Sequence, residues 1–177
     1  MIAMVTADDR REVVLERLAD FVLEHGLDAA NLRAMARAAG TSDRMLLYYF
    51  PDKAALLAAT LERIAARMTA MLDVAAPPEP LAADALRAAV VPLLLDDAVW
   101  PYMRVWLAIA SRAAHGDPLC RSIGGALGRG FLAWVEAHLT VADPACLTAE
   151  AAKILASIEG LMLLKALGLD DVVSQLT

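Results

Sequence analysis

A chain of 177 residues is long enough to bury a proper core, and its wealth of Ala, Leu and Met beside few aromatics favours helices over sheet. The net charge of −6 argues against a protein that coats nucleic acid regardless of sequence, because neutralising phosphates takes a surplus of Lys and Arg. With no run of about 18 uncharged apolar residues, and with Asp8 and Asp9 ahead of the first apolar stretch, neither a membrane span nor a secretory leader is expected.

The first helix is predicted over 10–25, where Val14, Leu18, Phe21 and Val22 form one stripe that Val13, Leu15 and Ala19 widen. Gly26 ends it. Asn31 is placed to cap a short second helix whose inner face is Leu32, Met35, Ala36 and Ala39, and Gly40 closes that helix after two turns. Ser42 caps a third helix reaching Phe50, where Pro51-Asp52 breaks it and Asp52 caps a long fourth from Lys53 to about Val74. The proline-rich stretch Pro77-Pro78-Glu79-Pro80 reads as a linker. Further helices are expected at about 82–95, 98–114, 118–139 and 147–168, with Pro92 and Pro101 kinking or trimming the first two. The expected fold class is therefore all-α.

Residues 31–53 hold the informative motif. Two short helices crossing steeply need a small residue where they touch, a glycine able to take positive φ at the turn, and an apolar residue locking the second helix down. Ala36, Gly40 and Leu46 supply these, as a helix-turn-helix requires. Local charge agrees with a DNA contact, since Arg33, Arg37, Arg44 and Lys53 face only Asp43 and Asp52 in this stretch.

The aromatic ending Tyr48-Tyr49-Phe50, followed by Lys53 and placed after a helix that stops at Gly26, makes residues 10–60 resemble the TetR family of regulators. Asn31 and Thr41 replace a usual threonine and valine, Arg44 and Met45 stand where glycine and threonine are common, and Leu47 takes the place of a tyrosine. The resemblance implies a DNA-binding domain at 1–52 and a helical effector-binding and dimerisation domain at 53–177, joined by the fourth helix. It also implies a homodimer on a palindromic double-stranded operator, repressing until a small organic effector binds. The third helix would enter the major groove, with Arg44 reading guanine and Met45 packing on a thymine methyl. Leu47 is turned outward beside them. Tyr48, Tyr49 and Lys53 would hold phosphates, helped by the helix start at Ser42, and Arg33 is a further candidate DNA contact.

In the C-terminal part, Met68, Trp100, Met103, Arg104, Trp106, Phe131 and Trp134 are the candidate effector site, because mostly apolar pockets with few polar anchors hold small organic ligands. Arg104 is a candidate partner for a ligand carboxylate, or for Asp96 or Asp97. Gly124 and Gly128, with Ile154, Ile158, Leu161 and Met162, form the expected dimer surface, which the family resemblance casts as a four-helix bundle. A break near 124–130 is the alternative reading of the glycines.

Catalysis is not expected, since His25, His115 and His138 are scattered and neither HExxH nor GxSxG occurs. Cys120 and Cys146 lie far apart with no CxxC spacing, which predicts no metal site, no cofactor and a reduced, cytoplasmic setting. The competing reading is a helical protein-interaction module without sequence-specific DNA binding, which the acidic charge and the departures at Met45 and Leu47 favour.

Overall fold

The computed structural model describes residues 7–176, all helix, turn and loop, with no strand among them and one isolated parallel bridge between Leu81 and Leu139. Residues 1–6, on which the expectation of no secretory leader partly rests, and residue 177 lie outside the described part. Among the described residues the helices are α1 (Ala7–His25), α2 (Leu32–Ala39), α3 (Asp43–Tyr49), α4 (Lys53–Ala75), α5 (Ala83–Leu95), α6 (Trp100–Ala114), α7 (Pro118–His138), α8 (Leu147–Ala166) and α9 (Asp170–Leu176). Short 3-10 turns precede α2 and α8.

The chain divides into two compact units. The first gathers the residues up to Met68 with Arg104–Ile123, and the second Thr69–Met103 with the residues from Gly124 on. Helices α4, α6 and α7 therefore each carry one unit boundary.

In the first unit, α1 buries Val14, Leu15, Leu18, Ala19, Val22 and Leu23, and α2 sets Met35, Ala36 and Ala39 against it. α4 adds Leu56, Leu57, Leu61 and Ile64. Charge supplements this core. Glu12, Glu16 and Asp20 recur every fourth residue along one face of α1, and Arg63 and Arg67 of α4 meet them. Arg67 bonds Glu16, the Glu16 carbonyl oxygen at 3.1 Å and Asp20 at 2.7 Å. Burial of this guanidinium disfavours its charge, but the bonds from Glu16 and Asp20 and their negative charges outweigh that and hold its pKa above the ordinary arginine value.

In the second unit, α5 and α8 pack through alkyl groups. Leu86, Val90, Val91 and Leu94 of α5 are buried, as are Ile154, Ile158, Leu161 and Met162 of α8. Here the structure corrects the expected dimer surface, because these four α8 side chains fill the chain's own core at 3–4 % exposure and are not available to a partner. α7 runs unbroken through Gly124, Gly125, Gly128 and Gly130, so the glycines do not interrupt it. Pro92 lies inside α5 on an exposed position, whereas Pro101 falls in the first turn of α6, where its missing N–H has no intrahelical partner to lose. The end of the proline linker is tied down by Leu81, whose N–H donates to the His138 carbonyl at 2.9 Å while its own carbonyl accepts from Thr140 at 2.8 Å.

Candidate nucleic-acid interface

Local chemistry builds the 31–53 region cap by cap. The Asn31 side chain accepts from the Ala34 N–H at 3.0 Å and starts α2. Gly40 ends it in the left-handed conformation at φ 67°, with the Gly40 N–H bonded to the Arg37 carbonyl and the Thr41 N–H to the Ala36 carbonyl. A Cβ at Gly40 would also meet the Arg17 guanidinium at 2.9 Å, and that same guanidinium donates to the Ala39 carbonyl. The left-handed backbone is what calls for glycine here, since the Arg17 tip lies at the end of a flexible side chain. The Ser42 hydroxyl accepts from the Met45 N–H at 3.3 Å to begin α3, and Asp52 accepts from the Ala55 N–H at 2.8 Å to begin α4.

Packing then fixes which way α3 faces. Ala36 and Leu46 are buried where α2 meets α3, and Phe50, 1 % exposed, sits under the Arg11 guanidinium at 4.8 Å. With Leu46 pointing inward and about 100° between successive residues, Arg44 and Tyr48 occupy the outermost line of the helix. Leu47 flanks that line on one side and Met45 on the other. Tyr48 is 75 % exposed, Leu47 44 % and Met45 39 %. Tyr49 is half-buried with its ring edge-on to Tyr48, 5.5 Å between centroids.

Every residue expected at the DNA surface other than Tyr49 is exposed, namely Arg33, Ser42, Arg44, Met45, Leu47, Tyr48 and Lys53. No described ion pair engages Arg33, Arg44 or Lys53. Arg37 is equally exposed and unpaired among the described residues, one turn beyond Arg33 on the same face of α2. The reading of the sequence counted its charge without assigning it a role; its spacing of four from Arg33 was the available signal.

The expected effector set is shared between the two units. Met68, Arg104 and Trp106 belong to the first unit, and Trp100, Met103, Phe131 and Trp134 to the second. Arg104 donates to the Leu23 carbonyl at 3.2 Å near the end of α1, while Asp97 takes Lys165 and Asp96 caps Ala98, so the anticipated Arg104 pairing with either aspartate is not formed. In the second unit Phe131, Trp134 and His138 stack one above another along α7, with centroids 6.2 Å and 4.2 Å apart. The Trp134 indole N–H donates to Asp73 at 3.0 Å. Lys165 lies over the Trp100 ring at 4.8 Å.

On the outer side of α8, Ala149, Ala152, Ala156, Gly160, Leu163 and Leu167 are exposed, and α7 presents Ala126, Gly130, Ala133 and Ala137 in the same way. Gly124 and Gly128 are half-buried on the opposite side of α7, the side that carries buried Val135, and do not share that edge.

Two capped helices clamped at a left-handed glycine, with unpaired Arg33 and Arg37 on the first and Arg44 and Tyr48 outward on the second, define a helix-turn-helix DNA-binding protein. Residues 19–60 match the family described as bacterial regulatory proteins, tetR family. The chain is 33 % identical over 166 residues to the HTH-type transcriptional regulator BetI of Burkholderia cenocepacia strain HI2424, covering 89 % of this chain and 84 % of that one. It is 34 % identical over 167 residues to BetI of Burkholderia thailandensis, with the same coverage. Among solved structures, a transcriptional regulator from Rhodococcus sp. Rha1 superposes with a TM-score of 0.72 at 29 % identity, over 91 % of this chain and 85 % of that one. The multidrug binding protein EbrR complexed with imidazole shares the fold, with a TM-score of 0.63 at 21 % identity over 95 % and 89 % of the two chains. The chain belongs to the tetR family of bacterial regulatory proteins. It is a DNA-binding transcriptional regulator and not an enzyme, and the reading as an interaction module without DNA binding is set aside. No helix among the described residues is long and apolar enough to cross a membrane.

Proposed function

We propose that the protein binds a palindromic operator as a homodimer in the cytoplasm and represses transcription until a small organic effector weakens its grip. The observation that carries the operator reading is the outward face of α3, where Arg44, Met45, Leu47 and Tyr48 stand exposed while Leu46 and Phe50 anchor the helix from beneath. Residues 1–52 form the DNA-reading domain and residues 53–177 the effector and dimerisation domain. Arg44 pairs with guanine in the major groove, while Arg33, Tyr48, Tyr49 and Lys53 hold phosphates and fix the register. Arg37 joins them from the same face of α2 as Arg33.

The partner surface is the exposed edge of α7 and α8. Alanine and glycine there let two backbones approach, and Leu163 and Leu167, 52 % and 66 % exposed, supply apolar area to cover. Effector binding belongs to the aromatic side chains of the second unit, Trp100, Phe131 and Trp134. The likeness to EbrR, solved with imidazole and with proflavin, supports a small organic ligand.

Selection from random duplexes, followed by titration at several salt concentrations, tests this. An inverted repeat is expected, with affinity falling steeply as salt rises. Lys53→Ala should weaken all sequences alike and lower the salt slope by about 1, whereas Arg44→Ala should erase preference at one base pair. Leu163→Arg should yield a folded monomer with little operator affinity. A chain that enriches no sequence, or whose Leu163→Arg variant stays dimeric, defeats the corresponding part.

A further inference from the structure

Two arginines of α1 reach away from their own helix into the helix-turn-helix. Arg17 donates to the carbonyl of Ala39, the last residue of α2, at 2.9 Å. Arg11 lies over the ring of Phe50, the residue that ends α3, at 4.8 Å. Neither is drawn to the acids of α1. Glu12, Glu16 and Asp20 are taken by Arg63 and Arg67 of α4, and no described ion pair engages Arg11 or Arg17, although Asp20 follows Arg17 at the spacing of three that suits one. Around the helix both arginines stand about 100° or more from Glu16. α1 thus turns its acids to α4 and two of its cations to α2 and α3.

α3 has little else to hold it. Its seven residues make two turns, too short to persist on backbone bonds alone, and of them only Leu46 is buried, with Phe50 just beyond. The two α1 contacts fall at its two ends. Arg17 acts where the chain leaves α2 for the turn into α3, and Arg11 acts where α3 stops. The six steps from Arg11 to Arg17 rise about 9 Å, close to the length of about 10 Å of α3 itself, so one straight rod spans both ends. We propose that Arg11 and Arg17 are positioning residues for DNA binding, a two-point brace through which α1 fixes the pose of α3. The inference rests on the operator reading above. Arg17 satisfies a carbonyl that the end of α2 leaves without an intrahelical partner, and its positive charge suits that helix end. Arg11 covers the face of the Phe50 ring and so closes the core over the other end. A binding face works when it is held within about 0.5 Å of its working geometry, and side chains acting at the helix ends do this without occupying the face that meets DNA.

The test separates a brace from a phosphate contact. Arg17→Met and Arg11→Met keep much of each stem and remove the charge. Each should weaken binding to the duplex selected by the full-length parent roughly tenfold, because the binding-competent pose of α3 becomes one of several. The slope of log affinity against log salt should stay at the parent value, whereas loss of a phosphate contact lowers it by about 1. In the free protein, amide exchange should quicken over residues 43–50 and keep the parent rates over α1 and α4, since the rest of the unit is untouched. A slope lowered by about 1 in either variant makes that arginine a phosphate ligand and overturns the brace, while operator binding stands. Parental affinity in either variant overturns it too, as does exchange that quickens equally in α1, α3 and α4. A parent chain that enriches no duplex defeats the operator reading, and this inference with it.

Discussion

Both compact units bury an alkyl core, and the first adds a ladder of charge between two of its helices. In the first, α4 is tied to α1 by a ladder of charge, with Arg63 and Arg67 set against Glu12, Glu16 and Asp20. Arg112 adds a pair with Asp28 at 2.5 Å. In the second, α5 and α8 meet through the aliphatic side chains of Val91, Leu94, Leu95, Ile158 and Leu161. A charged seam responds to salt, and its long side chains re-pair at little cost when a helix shifts. An interdigitated alkyl seam does neither, because each displaced methyl leaves a void. The DNA-reading helices therefore sit in the unit whose α1–α4 contact is the more sensitive to salt.

Truncating the alkyl seam should produce the largest effect. Ile158, 3 % exposed, faces α5, and Ile158→Ala should cost about 2–5 kcal/mol from lost transfer free energy plus a cavity. Thermal and urea unfolding should show the loss unchanged between low and high salt. A loss that halves in 1 M salt would mean that the second unit is not held as described.

A smaller, salt-sensitive effect is expected on the other side. Arg67→Met keeps most of the aliphatic stem but removes the bonds to Glu16 and Asp20. The side chain is 24 % exposed, between the buried and surface regimes, so the expected loss is about 1–2 kcal/mol at low ionic strength. It should shrink as salt shortens the Debye length from about 10 Å at 0.1 M to about 3 Å at 1 M. Equal losses at both concentrations would erase the contrast between the seams.

What the sequence disclosed follows the same division. Caps are local, so Asn31, Gly40, Ser42 and Asp52 could be read from neighbours within three residues. The facing of α3 was legible too, because a two-turn helix between Leu46 and Phe50 has only one way to bury both. α8 offered no such asymmetry. It is apolar nearly all round, and only the position of α5 decides that Ile154, Ile158, Leu161 and Met162 face inward while Ala156, Gly160 and Leu163 face out. Arg104 went astray for a related reason, since its acceptor is the Leu23 backbone carbonyl, which no side-chain pattern marks. The ladder of α1 and α4 did leave a trace, three acids and two arginines each spaced by four, but pairing them required knowing which helices are neighbours.

The smallest effect concerns acid. Asp117 precedes α7 and accepts from the Cys120 N–H at 3.0 Å. That backbone bond, opposed by partial burial and assisted by the Cys120 thiol, the Leu119 N–H and the charge of Arg112, holds its carboxyl below the ordinary value of 3.8. The same surroundings, burial first and then the Asp117 charge, push the Cys120 thiol up, so it stays protonated and inert. A carboxyl whose pKa is lower in the folded than in the unfolded chain binds its proton more readily when unfolded. Its stabilisation is complete above pH 3.8 and disappears as pH falls through the lower folded value. Asp117→Asn keeps the capping oxygen while removing the charge, so its stability should fall less steeply than the parent's below about pH 4. Parallel acid-unfolding curves for the two proteins would show that the cap carries no linked proton, leaving the carboxylates of the α1–α4 seam as the source of acid sensitivity in the first unit.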